Sequence, residues 1–444
     1  MRIGRKAIAL TLVGASVSLA MLNLGGTAGA AAWSVYKMSA SSGGSEPGLE
    51  TGVDANGDPI MYVHGTYGIP THNKAWVRKG NGAFTPIAFS APYNRLPGGG
   101  DAEMALKGDD VWFIDLWAGS NSIQYSPDRG TTWVSGTPFT TLPLSDRQWI
   151  EVGPTRTNPV TGARETTVYA TYQKIGTGGT WIARSRDNGL TWDFHNTIQE
   201  GPVGIGTSGI PIDIAYGEKN GVSTLAVAMI SGGQMVLAVS HDEGATWDVN
   251  STSGSAKDAA GSLTGFAMNP DDPDEMAVSY QASGRALDGG VPNKTVVRLT
   301  HDGGATWSDM IRLDPAAPIV GPVDWFPWID WRGDKIAVAW YQSNEYIPQR
   351  DSNQGNPLTT KWDVWYSEST DDGATFSTPE PIGTGPVKKG GICTNGLGCD
   401  QDRELGDFLN VAIDVDGRSW VTFVNVNSTV LPGGGIYVLG QPTS

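Results

Sequence analysis

The residues best suited to chemistry in this 444-residue chain are carboxyl, phenol and guanidinium groups that border short apolar segments. A carboxyl group can donate or accept a proton, a deprotonated phenol can act as a nucleophile, and a guanidinium can bind anions or hydroxyl-rich ligands. The candidate catalytic residues are Asp101, Asp146, Tyr341, Glu345 and Tyr346, and the candidate substrate-binding residues are Arg147, Arg403, Glu103, Asp324 and Asp407. Each of them alone could equally be a solvated strand end, so their value depends on whether the fold brings them together.

An eight-residue pattern, Ser/Thr-x-Asp-x-Gly-x-Thr-Trp/Phe, organises the chain. Its five copies are Ser126–Trp133, Ser185–Trp192, Ser240–Trp247, Thr300–Trp307 and Ser369–Phe376. The aspartate can accept hydrogen bonds from downstream N–H groups, the glycine permits a positive φ, and the aromatic ring can anchor the turn to a sheet. The pattern therefore predicts a repeat architecture. These aspartates are interpreted as structural, because a catalytic residue has no need to recur in every repeat.

The pattern resembles the Asp box, or bacterial neuraminidase repeat, and the chain is similar in this respect to the sialidase-like β-propellers. The resemblance implies an all-β propeller whose boxes lie between the third and fourth strands of each blade, opposite the active site. It further implies an exo-sialidase-like glycoside hydrolase acting on extracellular glycans, with a tyrosine nucleophile whose proton a glutamate accepts. Asp boxes also occur in propellers without catalysis, so a glycan- or protein-binding scaffold of the cell surface is the alternative.

The number of blades follows from the spacing of the boxes. Successive box aspartates are 59, 55, 60 and 69 residues apart, which suits one four-stranded blade each. Two further units without a good box, over 48–84 and 408–439, give seven blades in all, with the six blades of known sialidases as the alternative. The strand Trp33–Met38 is then predicted to pair with Gly435–Leu439 in the last blade, which closes the ring and removes its exposed edge.

Strand direction predicts where a site would lie. If the boxes lie on one face, the first strand of every blade starts at the other face, where loops of many blades converge. The polar residues near these starts are Glu50, Asp101, Glu103, Asp146, Arg147, Asp213, Asp324 and Asp407, with Arg403 just before the last one. We expect a cup in which Arg147 and Arg403 hold a glycan. A tyrosine or carboxylate would act at the anomeric carbon, because glycosidic cleavage needs an acid and a nucleophile or base.

One sialidase motif is missing from the sequence. The resemblance calls for an Arg-Ile-Pro segment whose arginine opens a triad, but Gly68-Ile69-Pro70 lacks the arginine, so no triad is assigned. A polysaccharide lyase, with a Tyr or His base and an Arg or metal beside a uronate, is a third alternative.

The N-terminus has the features of an export signal. Arg2, Arg5 and Lys6 precede the apolar run Ala7–Leu24 and the small residues Ala28-Gly29-Ala30, so residues 1–30 are predicted to be cleaved, with an uncleaved anchor as the alternative. The propeller domain would span 31–444. Loss of the three basic residues takes the net charge from −16 to −19, which disfavours nucleic acid and membrane insertion. We expect a secreted monomer.

Two cysteines and a few acidic turns bear on cofactors. In an exported chain Cys393 and Cys399 are predicted to form a disulfide, with free thiols as the alternative. The five histidines show no metal-ligand spacing, so no metal site is assigned. The segment Asp54-Ala-Asn-Gly-Asp58 resembles the start of a calcium loop but departs from the EF-hand pattern, so no cofactor is expected beyond incidental calcium.

Overall fold

The computed structural model describes residues 32–38, 43–67, 72–89, 98–117, 120–140, 145–174, 179–198, 209–254, 257–282, 294–313, 321–347, 353–354, 359–383, 385–393, 398–427, 431 and 434–442. The predicted export signal, residues 1–30, lies outside them. Every regular element in these ranges is a β-strand. Within the same ranges no helix has the length and hydropathy needed to cross a bilayer.

The strands are numbered in chain order. They are β1 (Ser34–Lys37), β2 (Ser45–Val53), β3 (Pro59–Thr66), β4 (Lys74–Lys79), β5 (Thr85–Pro86), β6 (Gly98–Lys107), β7 (Asp110–Trp117), β8 (Ser120–Ser126), β9 (Val134–Ser135), β10 (Ser145–Thr157), β11 (Arg164–Lys174), β12 (Thr180–Ser185), β13 (Phe194–Thr197), β14 (Ile210–Lys219), β15 (Val222–Ser231), β16 (Gln234–Ser240), β17 (Asp248–Ser251), β18 (Ala259–Met268), β19 (Met276–Ala282), β20 (Lys294–Thr300), β21 (Ile311–Arg312), β22 (Asp324–Arg332), β23 (Lys335–Ser343), β24 (Asn353–Gln354), β25 (Lys361–Ser369), β26 (Glu380–Pro381), β27 (Lys388–Lys389), β28 (Ile392–Cys393), β29 (Asn410–Ile413), β30 (Ser419–Asn425) and β31 (Gly435–Gly440).

Seven antiparallel sheets follow one another along the chain, which confirms the seven-bladed propeller. Blade 1 is β2–β5, blade 2 is β6–β9, blade 3 is β10–β13, blade 4 is β14–β17 and blade 5 is β18–β21. Blade 6 is β22, β23, β25 and β26, with β27 beside β25, while β24 pairs with β28 outside the blades. The first strands of successive blades contact one another, and β2 contacts β29 of blade 7, so the blades form a closed ring.

Blade 7 is completed by the N-terminal strand. Its order is β29-β30-β31-β1, and Ser34 to Lys37 of β1 pair antiparallel with Gly440 to Tyr437 of β31. This confirms the predicted closure of the ring by the segment Trp33–Met38. The hydrogen bonds between the two ends of the chain remove the free sheet edge that an open ring would expose.

The hydrophobic core lies between neighbouring blades. Ile60 and Tyr62 of blade 1, for example, pack with Met104 and Phe113 of blade 2. The largest fully buried side chains are Trp112, Trp331, Trp340, Trp362 and Trp420. Burial of one large apolar side chain contributes about 1.5–3 kcal/mol, so packing between the blades is the main source of stability in the ring.

The five repeated segments form one kind of turn, here called the box turns. In the first, the Ser126 hydroxyl donates to Asp128 and accepts from the Gly130 N–H, and the Thr132 N–H and hydroxyl both donate to Asp128. The other four copies repeat these bonds. The carboxylates therefore hold turns closed, between the third and fourth strands of blades 2 to 6.

The predicted calcium-like segment is a β2–β3 turn. Asp54 Oδ1 accepts N–H bonds from Asn56 at 2.8 Å and Asp58 at 3.1 Å, and Asp54 Oδ2 lies 2.6 Å from Arg129 Nη1. Arg129 belongs to the box turn of blade 2, so this carboxylate links two blades. The turn Asp414–Gly417 of blade 7 repeats the local pattern, with N–H bonds from Asp416 and Arg418 to Asp414 Oδ1.

The first strands are irregular near their starts. The pairing registers shift between Ser45 and Gly48, between Asp146 and Gln148, and between Trp325 and Trp328. Within these bulges Glu46, Arg147 and Phe326 have φ values of 48°, 50° and 57°. A bulge redirects the side chain of its extra residue, and positive φ in non-glycine residues concentrates at functional sites. These three bulges thus mark the region in which to look for a site.

The two cysteines form the predicted disulfide, Cys393–Cys399. The Cys393 N–H also donates to the Asp402 carbonyl at 2.8 Å. The disulfide and this hydrogen bond therefore hold the chain just before Arg403, one of the candidate substrate-binding residues, on its way to the first strand of blade 7.

Candidate functional site

The candidate residues lie on the face opposite the box turns. In blade 2, β6 and β8 are both antiparallel to β7 and so run in the same direction. Since the box turn follows the end of β8, it lies at the face where β6 also ends. The starts of the first strands therefore define the other face, here called the cup face, as the strand directions predicted.

Six side chains meet at the cup face. They are Glu46, Asp101, Asp146, Arg147, Arg403 and Asp407, here called the mouth cluster. They come from blades 1, 2 and 3 and from the segment before blade 7. Five of the ten predicted site residues are thus brought together: Asp101, Asp146, Arg147, Arg403 and Asp407. Glu46 joins them as a residue that the sequence analysis missed.

Arg147 is the buried cation of the mouth cluster. The residue is 8% exposed, and its guanidinium lies 4.0 Å from the Trp149 ring centroid and 4.1 Å from that of Phe408. Its Nη1 is 3.5 Å from Asp101 Oδ2, yet neither terminal nitrogen has a hydrogen-bond acceptor within the described part of the chain. Buried donors are normally satisfied, so Arg147 presents N–H groups that a ligand could bind.

Arg403 is paired more fully. Its two terminal nitrogens donate to the two carboxylate oxygens of Asp407, with Nη2 2.6 Å from Oδ2. Nη2 also lies 3.2 Å from Glu46 Oε1. A bidentate guanidinium–carboxylate pair of this kind has a fixed orientation, so Arg403 and Asp407 form a rigid wall beside Arg147.

Asp101 and the two carboxyl groups beside it, Glu46 and Asp146, differ in proton affinity. Burial and the charges of Asp101 and Asp407 raise the pKa of Glu46 well above its usual range. Burial and the charge of Asp101 raise the pKa of Asp146 to about 6. Burial alone would also raise the pKa of Asp101, but Arg147 and hydrogen bonds from Glu46 and Asp146 outweigh it and lower that pKa. At mildly acid pH the cluster holds an ionised Asp101 between two protonated acids.

Such an arrangement can perform acid–base chemistry. Pairs of carboxyl groups whose pKa values are separated by their surroundings assign one group as the acid and the other as the base or nucleophile. The cluster also contains two guanidinium groups that can orient an anionic or hydroxyl-rich ligand. The available reactions therefore include transfers in which one carboxyl gives a proton and its neighbour attacks or accepts one.

Two other predicted residues, Glu103 and Asp324, are structural partners elsewhere. Glu103 Oε1 lies 3.0 Å from His64 Nε2 in the interior. Asp324 is buried and accepts hydrogen bonds from the Thr295 N–H and from Gln342 Nε2, each at 2.8 Å. Asp324 thus connects the third strand of blade 5 to blade 6.

The predicted tyrosines and Glu345 belong to blade 6. Tyr341 is 0% exposed, packs in the core and accepts a hydrogen bond from the Val424 N–H at 3.1 Å. Glu345 accepts hydrogen bonds from the hydroxyls of Thr359 and Thr360, and Tyr346 is 42% exposed. Burial raises the pKa of Tyr341, which opposes formation of a phenolate. Within the part of the chain that the structure describes, no hydrogen bond or ion pair joins these three residues to the mouth cluster.

Glu46 could have been found from one local signal. We expected the first strand of blade 1 to begin at Gly48, whereas β2 begins at Ser45. The segment Ser45-Glu46-Pro47 contains a proline, which cannot donate to the ladder and is therefore confined to edges, strand starts and bulges. A bulge here, in blade 1 as in blade 3, turns a charged residue toward the cup.

A second group of acids lines a cavity of about 320 Å³ along the axis. These are Glu50, Glu103, Glu151, Asp213 and Asp330, here called the channel acids. They lie further along the first strands than the mouth cluster and so nearer the box turns. The rings of Trp149, Trp328 and Phe408 pack together between the two groups, with centroid distances of 5.3–6.0 Å.

Burial dominates the proton affinity of the channel acids. It raises the pKa values of Glu50 and Asp213 well above their usual ranges, and Glu103 adds to both shifts. Burial also raises the pKa of Glu151 to about 7, although the Val152 N–H and Lys107 oppose the shift. Glu50, Glu151 and Asp213 therefore tend to be neutral where Asp101 is ionised.

Neither a protein-family model nor a curated protein sequence matches this chain. Solved structures with a similar fold include a GH74 enzyme of Niastella koreensis, 15% identical with a TM-score of 0.43 over 88% of this chain and 65% of that one. A NanB sialidase variant of Streptococcus pneumoniae is 10% identical with a TM-score of 0.40, over 90% and 68% of the two chains. YCF48 from Cyanidioschyzon merolae is 14% identical with a TM-score of 0.49, over 93% and 99%. The chain thus spans less than two thirds of the GH74 enzyme, and these values are too low to carry an argument about function.

Proposed function

We propose that this protein is a glycoside hydrolase that cleaves extracellular glycans at the mouth cluster. The observation that carries the proposal is the set of three carboxyl groups of unequal proton affinity around a buried arginine whose terminal N–H groups have no hydrogen-bond acceptor among the described residues. Glycosidic cleavage uses one carboxylic acid to protonate the leaving oxygen and a carboxylate as nucleophile or base at the anomeric centre. The cluster contains both kinds of group.

Asp146 suits the role of general acid. Its pKa of about 6 lets it hold a proton at mildly acid pH and still release it to a glycosidic oxygen. Asp101, with its lowered pKa, is the ionised partner. It attacks the anomeric carbon or removes a proton from the attacking water. The leaving alcohol receives the proton of Asp146, and water supplies the hydroxyl that ends on the anomeric carbon.

The arginines bind and orient the sugar in this scheme. Among the described residues the Arg147 terminal N–H groups have no hydrogen-bond acceptor, while Arg403 is fixed by Asp407. A carboxylate or vicinal hydroxyl groups of the glycan would therefore bind to Arg147 first. A local cation also matters because the chain is acidic overall, with a net charge of −16, and would otherwise repel an anionic sugar.

A carboxylate mechanism is proposed in place of the tyrosine nucleophile that the sialidase resemblance implied. The side chain of Tyr341 is enclosed in the core. Among the described residues, Glu345 and Tyr346 of the surface loop form no hydrogen bond or ion pair with the cluster, so sialidase activity is the narrower form of the proposal. Cleavage of a sialoside that depends on Tyr346 would favour that form over the one argued here.

We further propose that the protein is exported and acts as a monomer. Disulfides persist mainly in oxidising compartments, and the Cys393–Cys399 bridge is in keeping with the signal-like residues 1–30. An exported protein meets extracellular glycans, and these are the proposed partners. We propose neither binding to nucleic acid nor insertion into a membrane.

The experiment is a screen of the purified protein against chromogenic glycosides, sialosides included, at pH 4 to 8. Any hydrolysis is then measured for Asp146→Asn, Asp101→Asn and Arg147→Lys, with Glu345→Gln and Tyr346→Phe as controls of the same chemical types. We expect the first three to lose activity while the controls retain it. Equal activity in Asp146→Asn and the wild type would overturn the assignment. Glycan binding without hydrolysis by the wild type would favour the scaffold alternative.

A further inference from the structure

We infer that the protein binds a divalent transition metal, zinc by its donor set, on the box face between blades 5 and 6. The ligands are Glu275, His301 and Asp372, each offering one donor atom, and these three atoms lie within 4.8 Å of one another. The site is independent of the mouth cluster, since box turns and cup occupy opposite faces, and it does not rest on the proposed glycosidase activity.

The separations of the donor atoms suit a small tetrahedral ion. His301 Nδ1 lies 3.6 Å from Glu275 Oε1 and 3.7 Å from Asp372 Oδ2. Zinc bonds of about 2.0–2.1 Å to nitrogen and oxygen place neighbouring tetrahedral ligands about 3.4 Å apart. The two separations that involve His301 therefore already match a zinc ion closely, and the third, between the Glu275 and Asp372 oxygens, is at most 4.8 Å. One imidazole with two carboxylates fits zinc better than calcium, which prefers oxygen ligands alone.

The surroundings orient the donors. The Asn269 amide donates to Glu275 Oε2, which leaves Oε1 directed at His301. The His301 ring packs edge-on against Trp331 at a centroid distance of 5.5 Å. The Asp372 backbone N–H donates to the Asp334 carbonyl at 3.0 Å, which fixes the box turn of blade 6. Such outer contacts are what positions metal ligands in protein sites.

The local charge also favours a cation. Asp334 and Asp371 lie close enough to Asp372 to affect it electrostatically, and Asp272 lies within electrostatic reach of His301. Lys219 neutralises Asp272 and Asp274 at 2.7 Å, but it belongs to blade 4 and serves that pair. An ion at the three donors would join the box turn of blade 5 to that of blade 6.

A neighbouring histidine provides a matched control. His241 occupies the same position in the box turn of blade 4 as His301 does in blade 5, since the sequences are Ser240-His241-Asp242 and Thr300-His301-Asp302. Its Nδ1 faces the Ser223 carbonyl at 3.1 Å and the Thr224 hydroxyl at 3.4 Å. Removal of His241 therefore removes a box histidine without touching the three donors.

The test is zinc binding to the chelator-treated full chain at pH 7.5. Calorimetry and metal analysis after dialysis should give one zinc per chain for the wild type and for His241→Ala. His301→Ala and Asp372→Asn should bind at least tenfold more weakly, and zinc should raise the Tm of the wild type and of His241→Ala only. Cobalt in place of zinc should give the visible absorption of a tetrahedral complex.

Two outcomes would overturn the inference. One is zinc binding by His301→Ala with the wild-type affinity, which would place the ion elsewhere. The other is a wild type that binds zinc no more tightly than His301→Ala and Asp372→Asn do. Circular dichroism of each variant distinguishes loss of a ligand from loss of fold, and Glu275→Gln replaces any variant that fails to fold.

Discussion

The mouth cluster and the channel acids place the same kind of side chain in two different states. At the mouth, Arg147 and hydrogen bonds from two neighbours keep Asp101 ionised even though it is buried. In the channel, burial raises the pKa of Glu50, Glu151 and Asp213, and neighbouring acids add to the effect for all three. The proximity of Arg147 thus outweighs burial for Asp101, whereas burial and a neighbouring acid outweigh the opposing effect of Lys107 on Glu151.

Position along the first strand decides between the two states. The bulges at Glu46 and Arg147 turn charged residues toward the cup, whereas the regular part of each strand directs its acids into the cavity. The aromatic rings of Trp149, Trp328 and Phe408 separate the two groups. Substitutions in the mouth cluster, among the channel acids and in a box turn can test this difference.

The largest effect should follow from removal of the general acid. Asp146→Asn, like Asp101→Asn, should lower kcat/KM by about 10²–10⁴-fold, the usual contribution of a positioned acid or base. Glu151→Gln, a channel substitution of the same kind, should leave kcat unchanged. The measurement is steady-state hydrolysis of the best substrate from the glycoside screen. A Glu151→Gln variant as inactive as Asp146→Asn would move the chemistry into the channel.

The second largest effect should be on the pH profile of kcat/KM. Activity requires protonated Asp146 and ionised Asp101, so it should fall as the pH rises through about 6. It should also fall at low pH, as Asp101 becomes protonated. Arg147 lowers the pKa of Asp146 as well as that of Asp101, so Arg147→Ala should shift both limbs to higher pH and raise KM. Unshifted limbs in this variant would mean that other groups set the profile.

The fold was largely predictable from the sequence because it repeats. The five box turns defined the blade length, and the unused strand at Trp33–Met38 required a partner at the other end of the ring. Local turn chemistry is read directly from residues such as Asp128 and Gly130, since the bonds that close the turn span only a few residues.

The site was predictable only in part, because it depends on bulges and on contacts between distant segments. The strand direction predicted the face on which the mouth cluster lies, and five of its six residues were among the candidates. It did not give Glu46, whose place depends on a bulge at the start of β2, and it did not separate Glu103 from the mouth. The cluster of Glu275, His301 and Asp372 was also hidden, because its members come from three separate turns and share no short spacing.

A moderate effect on stability should distinguish the channel from the mouth. The pKa of Glu151 is raised to about 7 in the folded protein, from an ordinary value near 4.5. Between pH 4.5 and pH 7 the folded state therefore binds more protons than the unfolded state does. The stabilisation that results is fully present below pH 4.5 and is lost as the pH rises through 7. The Tm of the wild type should fall between pH 5 and pH 8. Glu151→Gln should reduce that fall, because a neutral amide carries no charge to desolvate, and thermal unfolding at both pH values measures it. A steeper fall in the variant would contradict the assignment.

The smallest effect should come from a single box turn. Asp242 accepts bonds from the Ser240 hydroxyl and from the N–H and hydroxyl of Thr246, at 2.6–2.8 Å. Asp242→Ala should therefore lower the free energy of unfolding by about 1 kcal/mol, the net value of an ordinary hydrogen bond in a partly solvated turn. Hydrolysis per folded molecule should not change, since the box face is opposite the mouth cluster. Denaturant unfolding gives the first quantity and kcat the second. A variant with wild-type stability and no activity would mean that the two faces have been assigned the wrong way round.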